Sequence, residues 1–185
     1  MKNKIQILEK QIAECNQCSE KSNNSILFGR SLSERLTDNI DVLFLGMAPK
    51  PETYDNRIER IIFGPYSPTG KKIARIIEEF NSFAPNMACW GTNCVKCNIV
   101  EEGILDAMAK CRKYLIDEIK MLNPKRIILL GKNVTERFLG DKFIAGQITI
   151  WENIPCLHYY HPMERTGRFG KNKELLFEFL GFNKK

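Results

Sequence analysis

Residues 41–46 read DVLFLG and residues 126–131 read RIILLG. Each is a short, unbroken apolar run ending in glycine, the pattern of a strand covered on both faces, as in a parallel sheet. Working outward, TGKKIARIIEEF (69–80) carries apolar residues at helical spacing, and ACWGTN (88–93) reads as a further strand. ILDAMAKCRKYLIDEIKML (104–122) is a longer helix closed by Asn123-Pro124. IQILEKQIAEC (5–15) is an amphipathic helix, VTERFLG (134–140) a short one, QITIW (147–151) and IPCLHYY (154–160) are strands, and KELLFEFLGF (173–182) is a closing helix. Strands alternating with helices predict a three-layer α/β/α sandwich around a central, mostly parallel sheet.

The chain has 185 residues, of which 43% are hydrophobic, enough for one core and a single domain over 1–185. No apolar run approaches the roughly 20 residues of a membrane span. The N-terminal MKNKIQILEK has neither the apolar region nor the cleavage site of a signal peptide. The expectation is a soluble, cytoplasmic protein with no membrane partner. A net charge of +6 favours a polyanionic partner without demanding one.

Two stretches are expected to be irregular, 47–68 with its prolines and 161–173 with its glycines and basic residues. Both follow strands, and in open α/β sheets the loops at the carboxyl ends of strands form the ligand site. There are 7 cysteines, which in a reducing compartment suit metal or cluster ligation better than disulfides. Cys15-Asn-Gln-Cys18 and Cys94-Val-Lys-Cys97 make two C-x-x-C pairs, and Cys111 lies within the long predicted helix. Tetrathiolate zinc and an iron–sulfur cluster are both open on this spacing. Cys89 and Cys156, in apolar strands, read as inert buried thiols.

Seven pieces stand in order: Cys15/Cys18, Gly46-Met47-Ala48-Pro49, Pro65-Tyr66, Thr92-Asn93-Cys94-Val95-Lys96-Cys97, Cys111, Leu130-Gly131 and His161-Pro162. Together they resemble the uracil-DNA glycosylase superfamily, particularly its iron–sulfur branches, families 4 and 5. The resemblance runs over residues 15–163. It implies a 4Fe-4S cluster held by Cys15, Cys18, Cys97 and Cys111, with a structural role and with Cys94 as a bystander in an apolar slot.

The activity implied is hydrolysis of the N-glycosidic bond of uracil in DNA, which initiates base excision repair, by a monomer working at the nucleoid. Such an enzyme extrudes the base, reads its Watson–Crick edge and stabilises the charge left on it. Asn93 offers the donor and acceptor such an edge requires, although an Asn at a strand end also serves as a turn or cap. Tyr66 would stack on the base, and His161 would donate to its carbonyl as charge develops. His158, the other histidine, reads as core filler. In the resembling loop Met163 would wedge into DNA, with Arg165, Arg168, Lys171 and Lys173 near phosphates. The plain alternative is a solvated basic loop.

Family 4 carries Glu directly after the loop glycine, where this chain has Met47, so the residue that activates water is in doubt. Glu52 and Asp55 are the carboxylate candidates, and the backbone amides of Met47 and Ala48, after Gly46, are expected near base or water. Hypoxanthine and xanthine stand beside uracil as substrates. Two rivals are kept: a non-catalytic DNA-binding or damage-sensing iron–sulfur protein of the same fold, and a zinc protein using Cys15, Cys18, Cys94 and Cys97.

Overall fold

The structure, a computed structural model, describes residues 2–18, 29–33, 39–49, 63, 67–97, 99 and 103–182. The first of the deciding runs forms strand β2, Val42–Gly46, and the second forms β4, Arg126–Leu130. With β1 (Arg30–Ser31), β3 (Cys89–Asn93), β5 (Ile148–Trp151) and β6 (Ile154–Tyr159) they build one sheet in the order β1-β3-β2-β4-β6-β5. The central strands β3, β2, β4 and β6 are parallel, and only the edge strands β1 and β5 run antiparallel. The expected mostly parallel sheet is therefore present, with antiparallel strands confined to its rims.

The alternation of side chains along β2 explains why its sequence is apolar at every position. Val42 and Phe44 face α2 (Pro68–Phe83) and α6 (Lys173–Leu180), packing with Ile73, Ile77, Phe80, Leu176 and Phe177. Leu43 and Leu45 face α3 (Ile104–Leu122) and α1 (Lys2–Ala13), packing with Leu115, Ile119 and Ile5. Two cores on opposite sides of one sheet are the three layers the sequence predicts.

Helix ends follow local chemistry. Ser67 caps α2 by accepting from the Gly70 N–H at 2.9 Å, with Pro68 in the first turn where its missing donor costs nothing. Asn123 ends α3 in the left-handed region at φ 44°, its N–H donating to the Ile119 carbonyl. The short helix after β4 begins as α4 (Lys132–Val134) and widens into a π turn, Thr135–Leu139, closed by Gly140. Periodicity over so few residues does not separate the two helix types. Among the described residues no helix is long and apolar enough to cross a membrane.

The stretch 161–173, expected to be irregular, contains a further helix, α5 (Arg168–Lys171). Its cause is Glu164, whose carboxylate accepts the N–H groups of Thr166 (3.0 Å) and Arg168 (2.9 Å) and so satisfies donors at the helix start.

Candidate active site at the carboxyl edge of the sheet

Because β3, β2, β4 and β6 are parallel, their last residues line one edge. Gly46 stands opposite Asn93, and Leu130 opposite Tyr159, so Asn93, Gly46, Gly131 and His161 gather there from four separate segments. Glycine is required at two of these positions. A Cβ on Gly46 would come 2.3 Å from Asn93 Oδ1 and 3.0 Å from the Phe63 ring, so the carboxamide lies across the end of β2 only because that side chain is absent. Gly131 has φ +100°, and a Cβ there would stand 3.0 Å from the Cβ of His161.

Phe63, itself at φ 52°, covers Gly46 and Gly91 on the α2 side of this edge. It is an aromatic the sequence reasoning did not single out. Tyr66, Glu52 and Asp55 lie outside the described residues. The Met47 side chain packs against the core shared by α1 and α3, and Ala48 against the patch formed by Val95, Cys97, Ile99, Ala107 and Cys111. The carbonyls of Gly46 and Met47 accept from the N–H groups of Cys94 and Val95, each at 2.9 Å, extending the β2–β3 ladder beyond Asn93.

His161 is half-buried, and its Nδ1 accepts from the Met163 N–H at 3.1 Å. This bond places the proton of the neutral ring on Nε2, leaving that nitrogen the donor. The turn is pinned further by Lys72 of α2, whose Nζ donates to the Pro162 carbonyl at 2.6 Å. His158 behaves as core: it is fully buried in β6, its Nε2 pairs with Thr149 Oγ1 at 3.1 Å, and burial lowers its pKa.

Beyond the turn, Met163 is 47% exposed. Arg165 and Lys171 are exposed and, among the described residues, make no ion pair. Arg168 is held by Glu164 (3.1 Å) and lies 5.1 Å from the centre of the Tyr160 ring, while Lys173 pairs with Glu79 at 2.6 Å. Of the expected phosphate contacts, then, Arg165 and Lys171 make no ion pair among the described residues, and Arg168 and Lys173 are partly neutralised. The Thr166 hydroxyl, followed by the Arg168 and Thr166 amides, holds the Glu164 carboxyl down to about 2.

The thiols divide into separate groups. Cys18, Cys97 and Cys111 share one packed patch with Val95, Ile99 and Ala107, and Cys15 borders it beside Leu8, Ile12 and Tyr114. The Cys97 thiol donates to Cys111, which raises Cys97 and lowers Cys111. Cys94 belongs to the α1/α3 core instead, where burial pushes its thiol up to about 12. Burial does the same to Cys89 and Cys156. Among the described residues no group of three or more Cys, His, Asp or Glu side chains is arranged to hold a metal ion. The donor chemistry of the Cys18, Cys97 and Cys111 patch nevertheless fits a thiophilic cluster, with Cys15 near enough for its charge to act on Cys18 and Cys97.

Sequence reasoning missed a polar network directly behind Asn93. Lys96, Glu118 and Thr92 are all wholly buried. The Lys96 ammonium donates to the Glu118 carboxylate and, at 2.6 Å, to Thr92 Oγ1. Glu118 also accepts from Thr92 Oγ1 and from Trp90 Nε1, each at 2.9 Å. One signal was available: Glu118 lies on the apolar stripe of α3 that carries Cys111, Leu115 and Leu122, a place where an unpaired acid is not tolerated.

The model of the uracil DNA glycosylase superfamily matches residues 34–180, from ahead of β2 to the end of α6 and beginning after the Cys15/Cys18 pair. With most of its length matched, the chain belongs to the uracil DNA glycosylase superfamily.

Proposed function

We propose that the protein is a DNA glycosylase that hydrolyses the N-glycosidic bond of uracil, or of another deaminated base, in DNA and so initiates base excision repair, acting as a monomer at the nucleoid. The observation that carries this is the placing of Asn93 and His161 on one edge of the sheet, each seated against a glycine. In this reading the extruded base presents its edge to the Asn93 carboxamide, which supplies a donor and an acceptor. The C1′–N bond breaks with its electron pair passing to the base, and His161 Nε2–H donates to the base carbonyl on which that charge collects. Water then attacks C1′ and loses a proton. A transition state of oxocarbenium character asks little of that nucleophile, which fits a loop whose Met47 cannot act as a base. Glu52 and Asp55 remain the proposed carboxylates, and the Met47 and Ala48 amides the proposed backbone contacts.

Tyr66 is proposed to stack on the base. Met163 is proposed as the wedge, with Arg165, Lys171 and, once drawn from Glu164, Arg168 at phosphates. Cys15, Cys18, Cys97 and Cys111 are the residues that would hold a 4Fe-4S cluster. Bound there, the cluster would tie the segment after α1 to β3 and α3 and close long loops. The separation of Cys94 from Cys97 and Cys111 supports this set over a zinc site that needs Cys94.

The test is release of free base from DNA containing uracil, hypoxanthine or xanthine, with Asn93→Ala and His161→Ala alongside. Release is expected from at least one substrate, and each variant should lose about 100-fold in rate. No release from any substrate by a protein that still binds the DNA would replace this reading with the non-catalytic one.

A further inference from the structure

Asn93 makes its contacts on the side of β3 facing Gly46 and Phe63, while its neighbour Thr92 points the other way, to Glu118 on α3. Residues 90, 92 and 96, three before, one before and three after Asn93, all end on the same Glu118 carboxylate. The network is closed from behind by Gly29: a Cβ on that residue would lie 2.0 Å from Glu118 Oε1 and 2.4 Å from Trp90 Nε1. A carboxylate and an ammonium without solvent exposure are an expensive way to fill a core. Apolar residues of the same volume would often hold the fold as well or better, so stability alone does not account for the pair.

We infer that Lys96 and Glu118 are positioning residues: their buried ion pair clamps both sides of the β3 terminus and thereby fixes the Asn93 carboxamide at the end of β2. Hydrogen bonds between fixed charges have narrow geometry, whereas an apolar contact leaves a loop free to slide. The segment held is the one in which Cys94 and Val95 donate to Gly46 and Met47. The inference rests on the glycosylase reading for its consequence in catalysis, though not for the clamp itself.

The decisive variant is Lys96→Met with Glu118→Gln, which removes both charges together. Its Gln amide can still accept from Trp90 and donate to Thr92. The thermal midpoint should remain near that of the parent, DNA affinity and KM should stay within about threefold because phosphate contacts dominate them, and kcat should fall about 100-fold. Amide exchange at Cys94 and Val95, followed by mass spectrometry, should quicken at least about tenfold as those bonds open more often. Thr92→Val, which removes the shared hydroxyl at almost constant volume and lies away from Cys97, should shift kcat and exchange in the same direction, and it decides the matter should the double variant fail to fold. Parent-like kcat and exchange in a folded variant overturn the inference. If the parent releases no base, the glycosylase reading falls, and the exchange measurement still decides the clamp.

Discussion

His161 rests on Gly131: the space where a side chain on Gly131 would begin is 3.0 Å from the Cβ of His161, and the backbone there is at φ +100°. The residue following β4 and the residue two past the end of β6 therefore share one site that only glycine vacates. Gly131→Ala should cost about 1–3 kcal/mol for the strained backbone. It should also push His161 off its seat, so that base release falls well beyond what the lost stability explains. Urea denaturation and single-turnover rates on the same preparations separate the two effects.

Gly46→Ala is the complementary experiment. No positive φ is involved, so the penalty is steric, a methyl 2.3 Å from Asn93 Oδ1. Displacing the carboxamide by even about 1 Å should lower the rate of base release by about 100-fold. Affinity for undamaged DNA, measured by fluorescence anisotropy, should not change.

Glu118→Ala leaves Lys96 charged and buried with no carboxylate beside it. The loss expected is about 3–5 kcal/mol in the free energy of unfolding, against a much smaller change in the paired Lys96→Met, Glu118→Gln variant. A double-mutant cycle in urea measures the difference.

The thiol grouping separates ligand from bystander. If the cluster is present, Cys111→Ser and Cys97→Ser should lose most of the visible absorbance and bound iron of the purified protein, while Cys94→Ser, altered only in the α1/α3 core, should keep both. Equal loss in all three variants would sink this ligand set.

Glu164 gives the basic turn its own pH dependence. Its carboxyl titrates near 4.5 ordinarily and is held down to about 2 in the fold. Its stabilising effect is therefore complete above about 4.5 and is lost as the pH falls towards about 2. The unfolding midpoint of Glu164→Gln should lie below that of the parent at neutral pH. The gap should narrow through that acid window and close at its lower end.

Much of the architecture was legible because it rests on local pattern. The boundaries of α3, 104–122, follow from an apolar stripe closed by Asn123-Pro124, β2 follows from a run with no polar residue to place, and β4 from one whose sole polar residue, Arg126, stands at its start. Once those strands were parallel, Asn93 and His161 had to fall at one edge. Lys96 was not legible, since a lysine between two cysteines reads as a solvated residue until Glu118, 22 positions away, is brought beside it. Nor was α5, whose four residues fall short of two helical turns and whose start is satisfied by a side chain outside the helix. Both are products of tertiary pairing, which periodicity does not register.

Cys111 and Glu118 stand on the same helix seven positions apart, close to two full turns, or about 10 Å along the axis. That interval acts as a fixed gauge between the thiol patch and the clamp on Asn93. Losing or gaining one residue within it would swing one of the two by about 100° around the helix, away from its partners. Divergent descendants of this chain can exchange most of the outward-facing residues between those positions, but the spacing itself is closed to insertion and deletion.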